Sequence, residues 1–201
     1  MSIYRKALGE GFHRLHPMLQ KRYAFEEPVF QASGVMHRIA GGPKWLSLLF
    51  RLGARRKLVF PESGTDIPFT ITNTCFTNSA GDKQIHWERR FCFPKKVRYF
   101  NALMSLDERR MVVKDYLGEP PLLYADLQFT VVSRYELRIE SLNQRLVLGK
   151  MEIPLPRFLQ GLATVVESYD ELQGVFRICV DVKNPMLGKV FSYEGEFTPD
   201  A

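Results

Sequence analysis

From Thr65 to the C-terminus the chain is a succession of short alternating stretches divided by tight turns, and this rhythm constrains the fold most. Apolar residues recur at every second position, the period of a half-buried strand. The stretches fall near 66–77, 83–93, 97–106, 109–117, 122–132, 134–141, 144–153, 162–171, 174–183 and 187–198. A further one, PVFQASGVMHRI, spans about 28–39. The connections NSAGD, FPKK, LDE, GEPP, LNQ, ELQG and KNPMLG are rich in turn formers. Links this short join antiparallel neighbours. The expected fold is mainly β, an antiparallel meander of roughly eleven strands curved into a half-barrel or a lipocalin-like barrel. A twisted sheet of that width curls, and closure hides its edges. A wide curl is not filled by its own side chains, so it admits a helix or keeps a cavity.

Two helical regions lie near the beginning of the chain. Tyr4, Leu8, Phe12 and Leu15 repeat at helical spacing over residues 3–15, and MLQKRY adds a turn after Pro17, so 1–24 reads as an N-terminal helical segment. The segment 43–57 carries a stripe of Trp45, Leu48, Leu49 and Leu52, with Pro43 at its start and Gly53 near its stop. It is expected as an amphipathic lid or plug, its Trp45 and Leu48 side against the concave face. Lys44, Arg51, Arg55 and Arg56 on the other side suit solvent, or an anionic membrane surface. No linker divides the chain, which reads as one domain over 1–201.

Parity along the strands shows which polar residues share an apolar face. In IHWERRFCF, Ile85, Trp87, Phe91 and Phe93 share a face with Arg89, while Arg90 points the other way. Asn73 follows Ile67, Phe69 and Ile71. Glu167 lies between Val165 and Tyr169, and Tyr193 aligns with Phe191 and Phe197. His37 follows Val35 on the first strand. A buried guanidinium needs a partner, and Glu167 is available. Alternatives are an Arg89 that snorkels to water, or one that anchors a ligand carboxylate or phosphate at the end of an apolar pocket. The ligand-binding candidates are therefore Arg89, Glu167, Tyr193, Trp87, Asn73 and Trp45.

Other chemistries lack a signature. The four histidines show no metal-ligand spacing, and no P-loop, dinucleotide fingerprint or nucleophile elbow occurs, so neither metal nor cofactor is expected. Tyr193, Glu167 and Asp181 are the groups suited to acid–base work. Cys75, Cys92 and Cys179 form no CxxC pair and are expected to pack as small hydrophobes in a reducing compartment. The net charge of +6 tolerates anionic surfaces without calling for nucleic acid. The charged, interrupted start resembles no secretory signal and no apolar run spans a bilayer, which leads to an expected cytoplasmic location, peripheral to the membrane if 43–57 docks there.

The segments YRKALGEGFHRLHPMLQKRY, WERRF, IPLPRFL, VVESY and VFRICVDVKNPMLGKVFSYEGEF resemble the bacterial family known as domain of unknown function 4166, over nearly the whole chain. The matching positions are Trp87, Arg89, Arg90, Phe91, Pro154, Pro156, Glu167 and Tyr193; VFQASGVMHRI matches more loosely. Family members resemble stand-alone proteins and C-terminal partners of oxidoreductase-like or membrane domains, which implies an accessory binding module. Three functional classes follow. One is a carrier or sensor of an apolar or amphipathic small molecule or lipid. Another is a cofactor-free isomerase or cyclase using the same cavity. A structural interaction domain instead requires helix 43–57 to fill the concavity. Helix-grip domains also wrap a sheet around a pocket, but need a long C-terminal helix where this chain reads VFSYEGEFTPDA, a strand.

Overall fold

The computed structural model describes residues 2–24 and 28–200. A helical N-terminus comprises α1 (Ile3–Leu8), a 3-10 turn (Gly9–Arg14) and α2 (Pro17–Ala24). After β1 (Val29–Ala40) comes a 3-10 turn (Lys44–Leu46) leading into α3 (Ser47–Arg55). Then follow β2 (Gly64–Thr77), β3 (Lys83–Phe93), β4 (Lys96–Tyr99), β5 (Ala102–Asp107), β6 (Val112–Leu117) and β7 (Leu123–Ser133). The chain finishes with β8 (Glu136–Leu148), β9 (Met151–Pro154), β10 (Leu162–Asp170), β11 (Val175–Asn184) and β12 (Gly188–Pro199). Their order around the ring is β10, β11, β12, β1, β2, β3, β5, β6, β7, β8. Antiparallel pairing of β8 with β10, from Glu136↔Ser168 to Glu140↔Thr164, closes these ten strands into a barrel. Strands β4 and β9 lie outside the ring, on β3 and β8. The mainly β meander expected from the alternation is thus present, and it is fully closed.

Two stretches are divided differently from the expectation, each for a local reason. The 97–106 stretch is two strands, because β4 pairs with Arg90–Phe93 and β5 with Gln84–Trp87 of β3. Conversely, LNQ is no turn. Asn143 adopts φ +44°, which asparagine tolerates, and the ladder between β7 and β8 shifts register there. The chain bulges and continues as β8 to Leu148, and the expected 144–153 strand breaks at the Gly149 turn into the end of β8 and β9.

At the β1–β12 crossing a Cβ on Gly34 would fall 2.0 Å from the Glu196 carbonyl oxygen, and one on Gly195 would fall 2.2 Å from that of Val35. Only glycine permits this approach. The β1 register shifts between Val35 and Arg38. Ala32, Met36 and Ile39 are consequently the buried residues of that strand, and His37 faces outward near Asp66 and Glu196.

The expected helix over 3–15 stops after six residues, because Gly9 takes φ +52°. Its apolar stripe is buried nevertheless: Tyr4, Phe12 and Leu15 are in the core. The folded-back N-terminus closes one end of the barrel. The Tyr4 ring meets Tyr23 edge-on at 5.2 Å, and its hydroxyl accepts from Trp87 Nε1 at 2.7 Å. Burying each such aromatic contributes roughly 1.5–3 kcal/mol.

The other end carries α3. Here Phe50 is inserted, against Phe191, while Trp45, Leu48, Leu49 and Leu52 are 51–69% exposed. The expected packing of the Trp45 and Leu48 side on the concave face does not occur. Apolar residues lie on both sides of the helix, Phe50 on one and the Trp45 stripe with its neighbouring arginines on the other, and helical spacing alone does not rank them. Glu119 holds the helix exit: its carboxylate accepts from Lys57, His86 and Asn101, and its backbone N–H donates to Arg56 O at 2.7 Å. Partial burial opposes ionisation of Glu119, but these donors outweigh it and hold the carboxyl down at about 2. Cys75 and Cys92 are half-buried, whereas Cys179 is exposed on the outer face of β11, contrary to the expectation of a packed thiol. No helix among the described residues is long and apolar enough to cross a membrane.

Candidate functional site

Between the N-terminal plug and α3 the barrel leaves a cavity of about 720 Å³. Its walls are apolar side chains from the inner strand faces, among them Leu117, Leu127, Ile139, Val165, Ile178 and Val180. Trp87 and Met104, both touching Tyr4, form the inner end. Trp45, Leu49, Leu52, Phe158 and Leu159 form the mouth, and all five are exposed. Helix α3 therefore borders the cavity without filling it.

The mouth has a second wall besides α3. Pro156 opens a 3-10 turn (Arg157–Leu159) that carries Phe158 and Leu159. Inward polar residues hold its backbone. Gln144 exchanges two 2.7 Å hydrogen bonds with the Gly161 peptide, and Asn184 Nδ2 donates to Phe158 O at 2.8 Å and Gln160 O at 2.7 Å. These polar groups on the wall are already satisfied.

Arg89 reaches the cavity as strand parity requires, but its partner is not Glu167. Its Nε donates to Phe100 O at 2.8 Å and its Nη1 to the Tyr193 hydroxyl at 3.3 Å, with the Phe100 ring 4.1 Å from the guanidinium carbon. Glu167 is claimed by Arg22 of α2, in a fully buried ion pair. Arg22 also donates to Asn73 Oδ1 at 3.1 Å and lies over the rings of Phe30, Trp87 and Phe197. The expected contact of Arg89 with Glu167 is replaced because α2 delivers a nearer guanidinium.

Of the six candidates, Arg89, Trp87, Glu167 and Trp45 line the cavity, whereas Asn73 and Tyr193 are buried behind its wall. Burial pushes the Tyr193 phenol up, with Arg89 opposing. Asp181 lies on the outer side of β11, paired with Lys189.

Two residues escaped the sequence reading. Arg22 sits with Leu19 and Tyr23 on one buried helix face, a spacing of three and four that MLQKRY already contains. Asp115 lies on β6 between Val113 and Leu117, so the parity of VVKDYL aims it inward. It lines the cavity, and its Oδ1 has no hydrogen-bond partner. Burial raises its carboxyl to about 7, with the Arg89 charge opposing.

Fold and site define a closed antiparallel barrel with a pocket lined largely by apolar side chains, whose wall also carries the ionisable residues Arg89, Asp115 and the Arg22-paired Glu167. Residues 15–197 match the model of the family described as domain of unknown function (DUF4166), and the chain belongs to that family. It is 41% identical over 198 residues to the uncharacterized protein YndH of Bacillus subtilis (strain 168), covering 98% of this chain and 96% of that one.

Proposed function

We propose that this protein binds an apolar or amphipathic small molecule, such as a lipid, inside the barrel and exchanges it at a membrane surface on the cytoplasmic side. One observation carries this reading: a cavity of about 720 Å³ stays open where a folded domain ordinarily fills its core. Its size and apolar walls match those of small-molecule sites. The mouth supports the second half. Trp45, Leu48, Leu49, Leu52, Phe158 and Leu159 expose apolar surface there, and Lys44, Arg51, Arg55 and Arg157 accompany them in the chain. Such a surface suits the headgroup region of an anionic bilayer. A purely structural domain requires a filled concavity and is the weaker reading.

Asp115 favours one alternative, a cofactor-free isomerase or cyclase. A carboxyl raised to about 7 in an apolar cavity is suited to moving a proton. Native mass spectrometry of the purified protein is the test. A bound mass of lipid size is expected, displaced by an added lipophilic fluorophore. The absence of both a co-purified mass and fluorophore uptake would defeat the cavity reading. Recovery of the bound compound unchanged after prolonged incubation supports a carrier; recovery of an isomer supports the enzyme.

A further inference from the structure

The inner end of the cavity has the makings of a seat for one kind of head group. Asp115 lines the cavity, its Oδ1 is buried without a hydrogen-bond partner, and its cross-strand neighbours Met104 and Ala125 offer no donor side chain. Arg89 and Tyr4 are the ionisable groups that interact with it, and Glu167 and Tyr193 interact in turn with those two. Arg89 of β3 attracts the carboxylate but makes no ion pair with it. Tyr4 of α1 senses Asp115, yet burial holds its phenol neutral. Glu167 of β10 is neutralised by Arg22, and Tyr193 of β12 turns to Arg89.

We propose that the inner end of the cavity is a head-group site for a single-chain amphiphile ending in a carboxylate, seated between the Arg89 guanidinium and the Asp115 carboxyl. This rests on the ligand-binding reading above and narrows it to one chemical class. Charge balance selects the class. Without an ion-pair partner Asp115 is raised to about 7, so near neutrality a large share of it is protonated and the site carries the charge of Arg89. A ligand carboxylate restores neutrality. One of its oxygens accepts from Arg89, and the other accepts from the Asp115 hydroxyl. An alcohol leaves the guanidinium uncompensated unless Asp115 ionises. The chain of the amphiphile then runs along the apolar walls toward the mouth.

Proton linkage gives the site a signature. Two ionised carboxylates side by side repel, so above the Asp115 pKa the ligand binds only with uptake of one proton. Affinity for the carboxylate then falls about tenfold per pH unit there. The experiment is calorimetric titration of dodecanoate and dodecanol into the full chain between pH 6 and pH 9. Dodecanoate is expected to bind best at the acid end, to weaken about tenfold from pH 8 to pH 9, and to show a buffer-dependent heat of proton uptake. Dodecanol should show neither effect. Asp115→Asn keeps an amide donor but has no proton to gain, so its dodecanoate profile should be flat. Arg89→Met should lose the preference for carboxylate over alcohol; if it fails to fold, the wild-type slope and Asp115→Asn decide. A pH slope that persists in Asp115→Asn overturns the proposal. So does equal, pH-independent binding of both ligands, which leaves the cavity reading standing. Binding of neither ligand at any pH defeats the cavity reading itself.

Discussion

A single arginine among aromatics, Arg89 in IHWERRFCF, shows what one residue's position decides. Alternation carries it to the inner face, where its Nε and Nη1 bind a carbonyl and a phenol and its charge faces Asp115. Asp115 is the costlier residue, because an unpartnered carboxylate is being kept from water. Its pKa rises from 3.8 to about 7 on folding. The folded state thus holds the proton more tightly. The stability this lends is fully present below about pH 4 and is lost as pH rises through about 7. Asp115→Asn should therefore stabilise the protein at pH 8, by roughly 2–4 kcal/mol in urea unfolding, with the gain shrinking toward pH 4. A gain independent of pH would show that Asp115 titrates alike in the folded and unfolded states.

Among the elements, α2 depends most on a single contact. Its eight residues are too few to be stable alone, and the Arg22 pair with Glu167 pins them to β10. Glu167→Gln leaves a guanidinium uncompensated in the core, at a cost of about 3–5 kcal/mol. Exposed Arg90 on β3 is the control, and Arg90→Ala should change stability by less than about 0.5 kcal/mol. Urea midpoints at an unchanged slope measure both. Equal small losses would show that α2 is held by its apolar face alone.

The whole molecule is a barrel with one plugged end and one apolar mouth, and the mouth yields the last prediction. Arg51→Glu with Arg55→Glu touches only exposed side chains of α3, so the urea midpoint should stay in place. Co-sedimentation with phosphatidylglycerol vesicles should fall sharply, and the blue shift of Trp45 emission on adding vesicles should disappear. Trp87, buried beside Tyr4, supplies a constant background. Undiminished co-sedimentation would remove the membrane from the proposal.

Alternation and turn residues alone determined most of the strands, their antiparallel sense and the inward side of Arg89, because the side-chain period of a strand is a local property of the backbone. The same parity on VVKDYL already contained Asp115. Closure was another matter. Whether the meander stays open or β8 finds β10 depends on accumulated twist and bulges, among them the close crossing at Gly34 and Gly195, and no short window records that sum. The partner of Glu167 likewise comes from 145 residues away, on a helical turn whose arginine looks like any surface arginine until the barrel end is built around it. The face that α3 buries was decided the same way. Phe50 and the Trp45 stripe are alike in hydrophobicity, and only the shape of the rim, where Phe191 waits, determined which went in and left a cavity beneath the other.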